Sequence, residues 1–265
     1  AIRMVRQKLD IEELKHSIYV IRLFAKRDRR RNNSSAFLGQ LWQIINPFIY
    51  MVVMSLVFTN MFKHKDFTYY PIYILIGTMI YTLFVEGTTS CLTALSGNKN
   101  FLVNSSISRT LYPVERVYVA FVNFLFSILI FIMVMFYYGL KPDWKSILVI
   151  PDIFFLVVMI LGIGKILAII NVTFADITYF YRIFTVLVFY SSAIFYDTSS
   201  ISPLMQKLIS LNPIYVSMAL ARICIIDGEY PSVFLWIKLI VYSVTLYGVG
   251  TYVYKKNVAY VIEKI

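Results

Sequence analysis

Residues 117–140, VYVAFVNFLFSILIFIMVMFYYGL, run for 24 positions without a charged side chain. A helical crossing of a bilayer needs about 20 mostly apolar residues, because every backbone N–H and C=O group must be satisfied within its own segment. This stretch is therefore long enough to span a membrane. It predicts an all-α membrane protein.

The composition of the whole chain agrees with that prediction. Of its 265 residues 59% are apolar and only 15% are charged, against roughly 45–50% and about 25% in soluble domains. Residues 1–42 hold 14 of the 39 charges, so charged side chains are even rarer in the rest of the chain. Disorder is excluded by the apolar content, and collagen-like or disulfide-stapled folds are excluded by Gly 10 and Cys 2.

Five further windows resemble the first one. Residues 43–62 carry no charge, and the others carry one each: Glu86, Lys165, Arg182 and Lys238. The predicted crossings within a single transmembrane domain over residues 1–265 are 43–62, 72–95, 117–140, 153–175, 177–196 and 233–254. Six crossings place both termini on the same side of the membrane.

Basic residues indicate which side that is, because Lys and Arg near helix ends stay in the cytoplasm. With cytoplasmic termini, the inner segments hold 17 basic residues and the outer loops hold six. The formal charge of +11 is then a topology signal and an attraction to anionic lipid headgroups, so no nucleic-acid partner is expected.

Two segments are expected to form helices that do not cross. Residues 10–27 combine a capping-box start with apolar side chains at helical spacing, which is typical of an amphipathic helix lying in the interface. Residues 203–226 are apolar but are interrupted by Asn212-Pro213 and carry Lys207 and Arg222. They predict two short re-entrant helices between the fifth and sixth crossings.

The chain lacks the motifs of catalysis. It has no phosphate-binding loop, no HExxH, CxxC or GxSxG motif, and its two His and two Cys are scattered. We therefore expect no metal site, no cofactor in this chain and no enzymatic activity. The Gly162-Ile163-Gly164 string is interpreted as a site of close helix packing.

Several short strings are similar in order and spacing to those of ABC-2 type permeases, above all the polysaccharide exporters of O-antigen, capsule or teichoic acid. They are LGQLWQIINP (38–47), LYPVE (111–115), NVTFADI (171–177), SSAIFYD (191–197), Leu211-Asn212-Pro213, Arg222 and Gly228. The family usually has Phe-Pro-Arg-Glu where this chain has Tyr112-Pro113-Val114-Glu115, and Arg-Asp where it has Ala175-Asp176. The roles of those arginines are therefore not carried over.

The resemblance implies a homodimer with two separate ATPase subunits, which bind ATP and Mg, in a bacterial cytoplasmic membrane. The substrate would be a polysaccharide linked to polyprenyl pyrophosphate. The resemblance further implies an ATPase-coupling helix within residues 98–113 and an outer gate. Candidate residues of the coupling region are Asn100, Phe101, Leu102, Ser105, Arg109, Tyr112, Pro113 and Glu115, and those of the gate are Pro203, Asn212, Pro213 and Arg222.

Three further sets of residues have two interpretations each. The aromatic residues Tyr50, Phe58, Tyr190, Phe195 and Tyr196 either line a sugar conduit or face lipid and neighbouring helices. Arg29, Arg30 and Arg31 bind either lipid headgroups or the pyrophosphate of the carrier. Glu86 and Lys165 lie at equal predicted depth, which favours an intramembrane ion pair over a proton relay.

Three other functions fit the same sequence. One is an ABC-2 permease for drugs or small lipids. Another is a glycosyltransferase acting on polyprenyl lipids, for which Asp227 and Glu229 are the one close pair of acidic residues in the outer loops. The third is an assembly scaffold that transports nothing.

Overall fold

The computed structural model describes residues 17–27, 42–61, 69–98, 108–198 and 201–264, and every regular element in these ranges is helical. Residues 17–27 form α1. The next helices are α2 (Trp42–Met61), α3 (Tyr70–Leu92), α4 (Leu111–Tyr137), α5 (Val149–Thr173), α6 (Ile177–Tyr190), α7 (Pro203–Ile209), α8 (Pro213–Arg222) and α9 (Val233–Lys264). Short 3-10 turns cover Ser96–Asn98 and Trp144–Leu148, and a π-turn over Ile223–Asp227 extends α8. The prediction of an all-helical protein is confirmed for the described residues.

Four spans among the described residues are long and apolar enough to cross a membrane: Tyr70–Leu92, Leu111–Tyr137, Trp144–Thr173 and Val233–Val261. The pair formed by Pro203–Ile209 and Pro213–Asp227 is bent by 96° and would make a fifth if it counts as one span. The expected count of six crossings, the cytoplasmic termini and the re-entry of the bent pair into the membrane remain predictions.

The fifth predicted crossing, 177–196, is shorter than expected. Helix α6 has 14 residues and ends at Tyr190, so it is about 21 Å long at 1.5 Å per residue, less than the ~30 Å hydrocarbon core of a bilayer. The residues that follow leave the helix, because side chains of other helices bind their backbone carbonyl groups.

Helix α4 starts six residues before the predicted crossing, at Leu111 instead of residue 117. Pro113 lies in its first turn, where the missing N–H group costs nothing, because the first turn of a helix has no internal acceptor for it. The polar residues Glu115 and Arg116 are thus part of the helix, although their charge suggested a loop.

Helix α3 forms the centre of the molecule. It packs against α2, α4, α5, α6 and α8, and Ile72, Leu75 and Leu83 on it are almost wholly inaccessible. Within α3, whose residues are all described, Thr82 is the one exposed side chain. A helix with most of its side chains buried is expected at the core of a bundle.

The tightest helix contact joins α5 and α9. A Cβ atom added at Gly162 would overlap the backbone of Leu246 and Tyr247, and one added at Gly250 would overlap the backbone of Gly162. The interpretation of Gly162 as a packing residue is confirmed, since small residues let membrane helices approach closely. The matching role of Gly250 was not predicted.

The described part of the predicted interfacial segment is helical, as expected. Val20, Phe24 and Ala25 are buried against the bundle, whereas Ile18, Tyr19 and Leu23 are exposed together with Arg22 and Lys26. The helix therefore has a second apolar strip, which suits insertion among lipid headgroups. Residues 10–16 of the predicted helix lie outside the described ranges.

Candidate functional site

The backbone segment that follows α6 accepts hydrogen bonds from several side chains. In residues 191–196 the chain turns away from the helix, and Ala193 has φ = 48°. A left-handed conformation costs a residue with a Cβ atom roughly 1–2 kcal/mol. It persists here because surrounding side chains bind the carbonyl groups on both sides of the turn.

Arg222, in the last turn of α8, provides the central contacts. Its Nη1 donates to the Ala193 carbonyl at 3.0 Å, and its Nη2 donates to the Ile194 carbonyl at 3.2 Å and to the Tyr73 carbonyl at 3.3 Å. The guanidinium carbon lies 3.4 Å from the centre of the Tyr73 ring. The planar fork suits this arrangement, because its donors have fixed directions and its face stacks on an aromatic ring.

Helix α3 completes the enclosure. The Tyr70 hydroxyl donates to the Phe195 carbonyl at 2.6 Å, and the Tyr73 hydroxyl donates to the Tyr196 carbonyl at 2.9 Å. A Cβ atom added at Gly77 would lie 2.7 Å from Nη2 of Arg222, so glycine leaves room for the guanidinium.

Asn212 ties the bent pair to the same segment. Its side-chain oxygen accepts from the Ile214 N–H at 2.9 Å and caps α8, while its amide nitrogen donates to the Ser192 hydroxyl at 2.9 Å and the Ser191 carbonyl at 3.2 Å. We call this assembly the Arg222 clamp; it comprises Arg222, Asn212, Tyr70 and Tyr73 around residues 191–196.

Of the four predicted gate residues, the clamp brings two together. Asn212 and Arg222 both bind the segment after α6. Pro203 and Pro213 are the first residues of α7 and α8, where proline is favoured because its fixed φ suits the first helical position. The sequence did not reveal the tyrosines of α3, although tyrosine at the start of an apolar span is typical of a membrane interface.

The predicted conduit residues are partly clustered. The ring of Tyr50 lies 6.2 Å from that of Phe189 and 6.4 Å from that of Phe195, and Phe189 and Phe195 are 4.9 Å apart. Tyr81 joins them, 4.9 Å from Phe189. Phe189 and Tyr81 were missed, because nothing in the local pattern distinguishes them from the other aromatic residues.

Of the remaining conduit candidates, Tyr190 adjoins the cluster, because its ring lies 5.4 Å from that of Phe189. Tyr190 is 63% exposed, and the Tyr196 hydroxyl donates to the Tyr190 carbonyl at 2.8 Å. The side chain of Phe58 lies outside the described part of the chain.

The predicted ion pair is replaced by two separate contacts. Glu86 accepts a hydrogen bond from the amide of Asn123 on α4, whereas Lys165 donates to the Thr251 hydroxyl at 2.9 Å and lies 4.2 Å from the centre of the Tyr247 ring. Lys165 is directed to α9 by the close α5–α9 packing and so turns away from α3. The sequence did contain a signal for the partner of Glu86, because Asn123 is an uncharged polar residue in an apolar crossing.

At the opposite end of the bundle, three of the predicted coupling residues are buried: Tyr112, Pro113 and Glu115. The Tyr112 ring stacks 6.0 Å from Phe24 of α1. Arg109 is exposed, and its carbonyl accepts from the Tyr254 hydroxyl at 2.7 Å. The three buried residues therefore fix the start of α4 within the bundle, whereas the side chain of Arg109 is exposed.

The other coupling candidates, Asn100, Phe101, Leu102 and Ser105, lie outside the described residues, as do Arg29, Arg30 and Arg31. Among the described residues, no group of three or more His, Cys, Asp or Glu side chains could hold a metal ion. The candidate site within the described ranges comprises the aromatic cluster and the Arg222 clamp.

Comparison with known proteins gives a consistent result. The profile of the ABC-2 type transporter family matches residues 19–226. The O-antigen export system permease protein RfbA of Myxococcus xanthus is 23% identical over 97% of this chain and 96% of its own length. A protein of the same name from Klebsiella pneumoniae is 23% identical over 72% of this chain and 74% of its own. Since the family profile covers most of the chain, from α1 to the π-turn after α8, this protein belongs to the ABC-2 type transporter family.

Proposed function

We propose that this chain is the permease subunit of an ATP-driven exporter, which moves a polysaccharide linked to polyprenyl pyrophosphate from the cytoplasmic to the outer side of a bacterial inner membrane. The observation that carries the substrate class is the Myxococcus xanthus relative, which is named for O-antigen export and aligns over nearly the full length of both chains. ATP and Mg are bound by a separate subunit in this proposal.

The aromatic cluster supports a sugar substrate. Flat rings such as Tyr50, Phe189 and Phe195 offer apolar faces that contact a sugar ring without holding it through many hydrogen bonds. A weak and repeated contact of this kind allows a long polymer to move.

The Arg222 clamp supports a gate at the outer end. It joins the end of α6, the start of α3 and the bent pair α7–α8 through bonds to one short backbone segment. When the bent pair moves, the end of α6 has to move with it, so the state of the gate is transmitted to the helix that bears Phe189.

The faces of α2 and α6 support a homodimer. Helix α6 buries only Tyr181, Thr185 and Val188, and most of its other large side chains are exposed. Helix α2 exposes Phe48, Ile49, Val52, Val53, Leu56 and Val57. A second copy seated on these neighbouring faces would complete the conduit, and two ATPase subunits would bind near Arg109.

Copurification tests the assembly. The chain is expressed with the ATP-binding subunit of its own export system, purified in nanodiscs and weighed by native mass spectrometry. We expect two copies of each chain, with ATP hydrolysis stimulated by polyprenyl-pyrophosphate-linked glycan. Stimulation by drugs or by lipids without sugar would favour the small-lipid exporter, and absence of any ATPase partner would favour the glycosyltransferase or the scaffold.

A further inference from the structure

A cavity of about 210 Å³ lies between helices of the bundle and is lined in part by the aromatic cluster. It is bounded by residues of α2, α3, α4 and α6, among them Tyr50, Tyr81, Thr82, Glu86, Asn123 and Phe189. We call it the Glu86 pocket. Its volume is below the roughly 300–1,000 Å³ of pockets for drug-sized ligands, so it has room for one small ring.

Two side chains provide directional hydrogen bonds in this pocket. The Asn123 amide donates to Glu86, and this contact orients both groups toward the same space. A carboxylate has about four acceptor sites and the amide has a carbonyl acceptor as well, so one mutual bond leaves capacity for a ligand. A carboxyl group within a membrane span faces the bundle interior at a cost, and such positions mark substrate paths.

Aromatic rings form the adjoining wall. Tyr50 and Tyr81 lie on either side of Phe189, at ring distances of 6.2 Å and 4.9 Å. The Tyr81 hydroxyl donates to the Thr185 carbonyl at 2.8 Å, which holds its ring in place. The pocket thus combines apolar faces with a few convergent polar groups, the usual composition of a small-molecule site.

The pocket is reached from the surface of the protomer. Thr82 borders it and is the one exposed side chain of α3. Tyr50 and Phe189 belong to α2 and α6, the helices on whose exposed faces we seat the second copy that completes the conduit. The opening therefore connects the pocket with the proposed path of the polymer.

We infer that the Glu86 pocket binds one hydroxyl-bearing sugar ring of the transported glycan, with Glu86 and Asn123 on neighbouring hydroxyl groups and the aromatic wall against the ring's apolar face. This inference rests on the proposed function and adds a specificity site to it. A proton relay is disfavoured by the contacts of Glu86, because its bond goes to an amide that does not titrate, and Lys165 is bound to Thr251.

The test uses Thr82→Cys as a reporter in the complex with its ATPase, reconstituted in nanodiscs. Cys91 and Cys224 are buried, so the background of labelling by N-ethylmaleimide is low. We expect lipid-linked glycan extracted from the source cells to slow labelling about 5-fold, and polyprenyl phosphate without sugar to leave it unchanged. Protection by polyprenyl phosphate alone would assign the pocket to the lipid and overturn the inference.

Two further variants in the Thr82→Cys background test the polar groups. Glu86→Gln keeps the size of the side chain, and Asn123→Ser keeps a polar group if the first variant fails to assemble. Each is expected to need at least 10-fold more glycan for the same protection. Glu229→Gln, at an exposed position on the loop after α8, is the matched control and should behave like its parent.

Equal protection in Glu86→Gln and in its parent would contradict the inference, and if export nevertheless collapsed, Glu86 would act on a proton instead. The outcome is separable from the proposed function. A parent complex that exports glycan but shows no protection rejects the sugar pocket alone, whereas a parent complex that exports no glycan rejects the function.

Discussion

Arg222 is a buried cation whose charge is balanced by carbonyl dipoles and an aromatic face. It is 6% exposed and donates to three backbone carbonyl groups. Desolvating a guanidinium group is costly unless its hydrogen bonds are made, so the residue both requires and enforces the turn after α6. A substitution at this position is therefore felt in the backbone of residues 191–196.

Arg222→Lys tests the geometry of this contact while retaining the charge. A lysine has one ammonium group and cannot reach the Ala193 and Ile194 carbonyls with two fixed donors. Hydrogen bonds to charged groups are worth about 1.5–3 kcal/mol each, so we expect the free energy of unfolding to fall by roughly 3 kcal/mol. Thermal unfolding in detergent and glycan export in cells are the two measurements.

Lys207→Arg is the matched control for that variant, because Lys207 lies on α7 of the same bent pair and is exposed. We expect its stability and export to equal those of the parent. An Arg222→Lys protein as stable as the control would show that the clamp does not depend on the guanidinium fork.

Among the elements, the α5–α9 pair depends on the absence of side chains at two glycines. A Cβ atom added at Gly250 would overlap the backbone of Gly162, whereas one added at Gly248, half a turn away, would have no neighbour from another helix within 4 Å among the described residues. The prediction is that Gly250→Leu forces the helices apart, while Gly248→Leu adds a side chain to a lipid-facing position without harm. Overpacking costs typically 1–3 kcal/mol, and here the obstruction is backbone that cannot rotate away.

Thermal unfolding of the two leucine variants measures this difference directly. Gly250→Leu should unfold at a clearly lower temperature than the parent, and Gly248→Leu at nearly the same temperature. Equal behaviour of the two variants would mean that α5 and α9 do not approach at Gly250.

The positions of some helices can be predicted from the sequence, whereas the end of α6 cannot. A long apolar window with at most one charge predicts where α3, α4, α5 and α9 lie, because the bilayer imposes one strict requirement on every crossing. It does not predict that α6 ends at Tyr190, since residues 191–196 carry no charge and the side chains that donate to their carbonyl groups are those of Tyr70, Asn212 and Arg222. Contacts between residues far apart in sequence leave no local pattern.

Glu86 and Lys165 also bind partners that the sequence did not predict. Equal depth remains a prediction from helix length, whereas the rotation of each helix about its axis is decided by its packing. Close contact of α5 with α9 directs Lys165 to Thr251, and α4 presents Asn123 to Glu86. Helix length alone therefore does not predict which side chains pair.

Across the whole molecule, the distribution of basic residues predicts an orientation that labelling can check. Lys141 lies between α4 and α5 and Lys256 lies near the end of α9, and both are exposed. In intact cells, a membrane-impermeant maleimide should modify a cysteine placed at Lys141 and spare one placed at Lys256 until the cells are lysed. The reverse pattern would invert the topology and place the Arg222 clamp on the cytoplasmic side.

Transport of the glycan itself tests the central claim most directly. Proteoliposomes that contain the permease and its ATPase, with the ATPase domains outside, are supplied with polyprenyl-pyrophosphate-linked glycan and ATP. We predict that glycan becomes protected inside the vesicles only when ATP is hydrolysed, and that vesicles with Arg222→Lys accumulate much less. ATP hydrolysis without glycan entry, alongside entry of a small lipid under the same conditions, would contradict the claim that this ABC-2 permease exports a polysaccharide.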